Sequence, residues 1–288
     1  MGEVMIKINK RIYGFVIALI VIFIIYALWQ NNYVRVTKYE YKNAKIPEGF
    51  NGYRILQISD LHNKNFHGLL DKLVEESNPD IIVITGDLID RRNTNIKTAT
   101  ELVKRLSIMV PTYYATGNHE QLSDKYNELM KEMKKLDVHF LDNSYTTLSN
   151  KGDEVGLMGV ADPAIVQSES TYLWNDNQKY MIESIKKLYK NVKTDFNILL
   201  SHRPELFNVY KDSGVDLVLS GHAHGGQVIL PLIGALVAPN QGFIPKYTEG
   251  IYSKNSTSMV VSRGLGNSII PIRINNPPEL VLITLKRE

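Results

Sequence analysis

Residues 217–227 read LVLSGHAHGGQ: an apolar run that ends in two histidines one residue apart and then in a glycine pair. Four other places repeat the pattern. YRILQIS runs into Asp60-Leu61-His62, DIIVIT into Gly86-Asp87, PTYYAT into Gly117-Asn118-His119-Glu120, and FNILL into Ser201-His202. Each run is short, rich in β-formers and bounded by a turn signal, which predicts a buried strand. Between them lie segments with helical spacing. Leu69, Leu70, Leu73 and Val74 share a face in 66–77, and Leu102, Val103 and Leu106 in 96–108. Leu129, Met130 and Met133 do so in 123–135, behind Ser123 as the expected N-cap. Strand–helix alternation predicts a layered α/β fold, in which ligands gather at the strands' carboxyl ends.

The polar residues delivered there are Asp60, His62, Asp87, Asn118, His202, His222 and His224. Carboxylates, imidazoles and one amide oxygen, with no thiolate, suit Mn, Fe, Zn or Ni. Seven candidate ligands exceed what one tetrahedral ion takes. They suit two ions a few Å apart, an arrangement that activates water and clamps an in-line phosphoryl displacement. Taken singly, D-x-H or GD after a strand is weak, because Asp and Gly are common turn residues. Together they are specific: of seven histidines, five stand at these strand ends. Of the other two, His139 reads as an ordinary polar contact, and His67 follows the first ligand loop closely enough to approach a substrate. Rival signatures are missing. There is no G-x-S-x-G elbow and no Walker A, position 123 is Ser where H-E-x-x-H needs a second His, and GLG at 264–266 reads as a loop.

Composition bounds the alternatives. The chain has 288 residues, 44% hydrophobic and 22% charged, with no cysteine, so disulfides, thiolate metal sites and cysteine nucleophiles are excluded. Residues 1–45 carry seven Lys/Arg against two Glu, or +5, so the remainder holds −2 of the +3 total. A mildly acidic main domain lacks the basic footprint of a nucleic-acid binder, and no nucleic-acid partner is expected.

The ordered blocks D-x-H, GD, GNH-E, H and GH-x-H, from Asp60 to His224, resemble those of the calcineurin-like metallophosphoesterases. GHAHGGQVILP followed by VSRGLGNSIIPIRINNPPELVLITL is similar to the bacterial membrane-anchored or exported, YkuE- and YaeI-like phosphodiesterase branch. The resemblance covers roughly residues 33–288. It implies two mixed β-sheets packed face to face and flanked by helices. It also implies one metal on Asp60, His62, Asp87 and His224 and a second on Asp87, Asn118, His202 and His222, with Asp87 bridging. His119 would face the phosphate and donate a hydrogen bond or proton toward the leaving oxygen. GDLIDRR resembles the family's GD-x-x-DRG, which implies Asp90 as the carboxylate orienting His119 and Arg91 as a phosphate contact; Arg92 replaces the usual glycine.

Residues 12–29, IYGFVIALIVIFIIYALW, form an uncharged run. At about 1.5 Å per residue it spans roughly the hydrocarbon core. A buried core helix would usually show a polar stripe. A cleaved signal peptide has a shorter apolar region and a small-x-small cleavage site, and YALWQNNY offers none. Lys7, Lys10 and Arg11 precede the run, but Arg35, Lys38, Lys42 and Lys45 follow it, so the positive-inside signal is mixed. The expected organisation is a basic tail over 1–11, a single transmembrane anchor over 12–29, a linker and first strand over 30–50 and the catalytic domain over 51–288, outside the cytoplasm.

The expected activity is hydrolysis of phosphodiester or pyrophosphate bonds at two divalent metal ions. One rival is a phosphomonoesterase with the same metals; the other is a non-catalytic scaffold, which decayed ligand positions would mark. VILPLIGALVAPNQGFIP, 228–245, is apolar but broken by Pro231, Gly234, Pro239, Gly242 and Pro245. It reads either as a loop packed on the domain's own core or as a rim with Leu232, Ile233, Leu236 and Val237 exposed. In the second case the rim would meet the acyl region of an amphiphilic phosphodiester or the bilayer surface.

Overall fold

A computed structural model describes residues 10–172, 177–267 and 271–288. Most of the expected basic tail lies outside the described residues, as do residues 268–270 of the C-terminal block. In chain order the first part is α1 (Lys10–Asn32), β1 (Arg35–Lys42), β2 (Arg54–Ile58), α2 (Leu69–Ser77), β3 (Ile81–Thr85), α3 (Ile96–Met109), β4 (Thr112–Ala115), α4 (Asn118–Gln121), α5 (Tyr126–Met133) and β5 (Val138–Phe140). Then come β6 (Ser144–Asn150), β7 (Asp153–Gly159), α6 (Asn177–Tyr189), β8 (Asn197–Leu200), α7 (Phe207–Tyr210) and β9 (Leu217–Ser220). Four two-residue strands follow: β10 (Ile229–Leu230), β11 (Gly234–Ala235), β12 (Val237–Ala238) and β13 (Gly242–Phe243). β14 (Gly250–Lys254), β15 (Thr257–Val261) and β16 (Glu279–Lys286) complete the chain.

Two mixed six-stranded sheets carry the fold, ordered β1-β16-β2-β3-β4-β5 and β14-β15-β9-β8-β7-β6. β2 to β5 run parallel, as do β7, β8, β9 and β15. The five runs that lead into candidate ligands are therefore neighbouring parallel strands within their sheets, β2 to β4 in one and β8 and β9 in the other. Side chains alternate across each sheet with period two. In β3, Ile81 and Val83 join Leu157, Ile198, Leu217 and Leu219 of the second sheet in the central core, whereas Ile82 and Ile84 pack under α2, α3 and α5. A third apolar layer, with Met181 and Ile185 of α6 and Phe207 and Tyr210 of α7, covers the outer face of β8 and β9. Each such side chain contributes about 1.5–3 kcal/mol by leaving water, so a strand buried on both faces has little tolerance for a charge.

Two helix starts refine the reading of the sequence. α3 begins at an Asn95 cap whose side chain accepts from Thr98 N–H. The helix expected behind Ser123 begins only at Tyr126, and the Ser123 hydroxyl accepts from Lys125 N–H at 3.2 Å. Ser123 shapes the preceding turn and is not the N-cap.

α1 is apolar on every side and stands clear of the domain, with Ile12 to Ile25 largely exposed. Only its last turns touch the domain, where Ala27 and Gln30 are buried. Such a helix is long and apolar enough to cross a membrane.

Candidate metal centre and active site

The turns after the strands explain the D-x-H and H-x-H spacings. Asp60, His62, Asp87, His222 and His224 all have positive φ, from 46° to 65°. That region is uncommon for residues with a side chain, and such strain concentrates at functional sites. In Asp60-Leu61-His62 the left-handed residues flank one that dives into the helix-side core; in His222-Ala223-His224 the middle residue enters the layer under α6 and α7. The two outer side chains thus turn toward the same point.

All seven sequence-derived ligand candidates are buried, and Asp87, Asn118, His222 and His224 form the floor of one cleft. His62 Nε2 lies 3.1 Å from His224 Nε2, and His224 Nε2 lies 3.3 Å from Asp60 Oδ1. Asp87 Oδ2 lies 3.6 Å from His62 Nε2 and 3.1 Å from His202 Nε2, which is 3.2 Å from His222 Nδ1. Ligand atoms converge within 4.8 Å in three groups: Asp60, His62 and His224; His62, Asp87 and His119; and Asp87, His202 and His222. Tautomers are set by outer partners. His202 Nδ1–H donates to Thr85 O at 2.6 Å, and His222 Nε2–H donates to Asn240 Oδ1 at 2.9 Å. Each ring is thereby left with its other nitrogen aimed into the cluster.

The donor set fits two divalent cations. The buried Asn118 Oδ1 has no hydrogen-bond partner among the described residues, an arrangement that costs about 1–3 kcal/mol unless something accepts its lone pairs. Charges among the cluster's own side chains compensate one another. Burial opposes ionisation of Asp60, but His224, His62 and His202 outweigh it and hold the carboxyl below the ordinary range. Burial likewise opposes protonation of His202, and the Asp87 and Asp60 carboxylates overcome it, pushing the ring up to about 10. Burial drives His224 down to about 3.

His119 sits above this floor, its ring 4.4 Å from that of His62 and edge-on to it. Its Nδ1 accepts from Arg91 N–H at 3.1 Å. Burial pushes the imidazole well below its usual value, so the ring is neutral, and with Nδ1 accepting, the proton is on Nε2. Asp90 lines the same cleft, but its partners differ from those expected of an orienting carboxylate. Its Oδ1 accepts from Arg92 N–H at 2.8 Å, and its Oδ2 lies 4.0 Å from His62 Nδ1. The backbone of Arg91 holds His119 where the sequence pointed to the side chain of Asp90. The Arg91 guanidinium lies in the cleft, paired with Glu169 at 2.8 Å and with Tyr172 Oη at 2.8 Å. His67 is exposed and outside the cleft lining, and the exposed His139 stacks on Tyr113 at 4.8 Å. The cleft holds about 400 Å³, and Val237, Ala238 and Pro239 form its apolar wall.

A family profile described as calcineurin-like phosphoesterase matches residues 53–226, a span containing every ligand candidate and His119. The chain belongs to this family. It is 31% identical to the uncharacterized metallophosphoesterase YkuE of Bacillus subtilis, over 88% of this chain and 86% of that protein. It is 32% identical to the uncharacterized metallophosphoesterase Cj0846 of Campylobacter jejuni, over 92% and 67%. It is 27% identical to the phosphodiesterase YaeI of Escherichia coli, over 81% and 82%. As a member of the family the chain is a metal-dependent phosphoesterase.

Several residues that build the family site here were not singled out by sequence reading. Glu120, fully buried, accepts from the backbone N–H groups of Asp87, Leu88, Ile89 and Gly117 at 2.6–3.3 Å. It ties the GD turn to the GNH turn. Its position three residues after Gly117 is the Glu position of a capping box, a signal that was available. The GLG loop presses against the first ligand turn: Gly264 has φ +68 with its Cα against Asp60, and Gly266 N–H donates to Asp60 O at 2.6 Å. A side chain at either glycine would collide with that turn. Asn276 Nδ2 donates to His224 O at 2.7 Å, fixing the last candidate ligand from behind. Arg203, beside His202, is held by Asp162 in a fully buried bidentate pair at 2.7 and 2.8 Å.

Proposed function

We propose that the protein is a membrane-anchored, dinuclear-metal phosphodiesterase or pyrophosphatase. The observation that carries the reading is the position of the Asp87 carboxylate, within 3.6 Å of both His62 and His202, between the two clusters of ligand atoms. Asp60, His62, Asp87 and His224 would hold one cation and Asp87, Asn118, His202 and His222 the other, drawn from Mn, Fe, Zn or Ni. Bound there, the two cations supply Lewis-acid activation of water and neutralise charge on the phosphoryl group. The chain's own residues do the rest. His119 presents Nε2–H toward the cleft and donates to a phosphoryl or leaving-group oxygen. Glu120 and Asn276 keep the ligand turns in place, and the Val237–Pro239 wall lowers the local dielectric around the reacting group.

Two features favour a diester over a monoester. A dianionic monoester needs one more unit of positive charge than a monoanionic diester; of the two arginines lining the cleft, Arg91 is already paired with Glu169 and Arg92 is exposed to solvent. The apolar wall offers the second ester substituent a surface. The phosphodiesterase named among the relatives points the same way. A lipid-linked substrate suits an enzyme tethered by α1, with the catalytic domain outside the cytoplasm.

The test is hydrolysis by the full chain in detergent, stripped of metal and reloaded with each of the four ions. Turnover of bis-p-nitrophenyl phosphate should exceed that of p-nitrophenyl phosphate, and Asp87→Ala should abolish both along with most bound metal. Full activity with a single tightly held ion would overturn the two-metal reading. Faster monoester turnover would favour the phosphomonoesterase.

A further inference from the structure

The segment between the last ligands and β14 is a strap, residues 228–245, without a charged side chain. It folds as two short hairpins, with Ile229 opposite Ala235 and Val237 opposite Phe243. Leu236 N–H to Val228 O and Ile244 N–H to Leu236 O, both 3.0 Å, lace the hairpins together. The inner side faces the chemistry, since Val237, Ala238 and Pro239 line the cleft and Asn240 accepts from His222. The turn of the first hairpin and the closing strand of the second do the opposite of what a water-facing segment requires. Leu232 is fully exposed, Phe243 is 86% exposed and Ile244 73%, and Ile233 is exposed beside Leu232. Four large apolar side chains left exposed on one short segment mark a surface made for an apolar partner.

The root of the strap shows which partner. Tyr26 Oη of α1 donates to Asn275 Oδ1 at 2.6 Å, and Asn275 Nδ2 donates to Ile229 O at 3.0 Å. Val228 is bridged to Ile274. Trp29 and Tyr33, stacked at 5.3 Å, form an aromatic end to the apolar helix, as at a membrane–water boundary. Tyr26 lies about one turn further into the apolar run, some ~4.5 Å along the axis. The strap is thus bonded to α1, through Asn275, at the level of the last apolar turn of that helix.

We propose that the strap is a second membrane contact, in which Leu232, Ile233, Phe243 and Ile244 enter the bilayer beside α1 and hold the cleft against the lipid surface. The cleft then takes the phosphoester headgroups of amphiphiles lying in that leaflet, with Val237 to Pro239 forming an apolar path from the acyl region to the metal centre. The proposal rests on α1 remaining attached as an anchor.

The absence of cysteine makes a direct test available. Single variants Leu232→Cys, Phe243→Cys, Ile20→Cys and Ile108→Cys of the full chain are labelled with an environment-sensitive fluorophore and placed in phosphatidylcholine–phosphatidylglycerol vesicles. Ile20 lies within α1. Ile108 is exposed at the far end of α3, away from the strands' carboxyl ends. The proposal expects blue-shifted emission at 232 and 243, lost when doxyl-labelled lipid is included, as at 20, with Ile108 unaffected. Quenching at 20 with water-like emission at 232 and 243 would overturn the strap contact and leave the anchor standing. No quenching at 20 would overturn the anchor and the proposal with it. A blue shift at 232 that depends on protein concentration and ignores the lipid quencher would assign the surface to a second copy of the chain and overturn the membrane contact.

Discussion

Glu120→Gln should cripple the centre without touching a ligand. The carboxylate divides its two oxygens between four backbone N–H groups: Oε2 takes Asp87 and Gly117, both at 2.8 Å, and Oε1 takes Leu88 at 2.6 Å and Ile89 at 3.3 Å. Glutamine retains one oxygen. With that oxygen in the Oε2 place, its NH2 group points at the Leu88 N–H, donor against donor. Both Oε1 hydrogen bonds, to Leu88 and to Ile89, are lost; the shorter one alone is worth about 1.5–3 kcal/mol and leaves a buried unsatisfied donor that costs about 1–3 kcal/mol. The total of about 2.5–6 kcal/mol is a large part of an ordinary domain stability. For a domain of this size it corresponds to a fall in Tm of roughly 5–20 °C. Because the turns it ties carry Asp87 and Asn118, metal affinity should fall as well. Thermal unfolding of the full chain in detergent, metal-free and metal-loaded, reads both effects. A variant that melts within about 2 °C of the parent and binds metal equally well would refute the clamp.

Three more outcomes follow from the site. His119→Ala should lower kcat by roughly 10²–10⁴-fold on a poor leaving group, and less when the leaving group departs unprotonated; equal losses across a leaving-group series would remove His119 from that role. Metal loading should release protons. In the metal-free fold His202 holds its proton up to about 10, above its unfolded value of 6.5, so that proton stabilises the metal-free fold fully below pH 6.5 and the benefit disappears as pH rises through about 10. A cation must displace the same proton, so affinity should climb with pH across that window, and calorimetry in two buffers of different ionisation enthalpy should count about one proton near pH 8; zero release would contradict the pairing of His202 with Asp87. Intact-mass measurement of membrane-fraction protein should find residues 12–29 still attached, whereas a chain beginning near residue 30 would identify a signal peptide.

The buried cluster of candidate ligands was legible because its members are local in sequence. Buried parallel strands read as short apolar runs, and the turn after each run carries its ligand, so the order of apolar run, glycine, aspartate and histidine places every donor on the same edge of the fold without any knowledge of which strands pair. Long-range pairing had no such signal. Nothing in RVTKYEYK or ELVLITLK shows that β1 lies parallel to β16, with Arg35 opposite Glu279, because register depends on a partner more than two hundred residues away. Partners of single side chains were equally hidden. The sequence placed Asp90 beside His119 by motif, but an imidazole bonds to whichever group the backbone brings within reach, and here a left-handed turn at Asp87 brings the Arg91 amide. Glu120 resembled a failed metalloprotease motif until the fold showed four N–H groups converging on it. The strap held the same lesson in reverse. Its composition was compatible with a core loop or an exposed rim, and only the tertiary structure decided that Val237 and Ala238 turn to the cleft while Leu232 and Phe243 turn away. Composition sets how much apolar surface a segment has; which side is covered depends on what the rest of the chain folds against it.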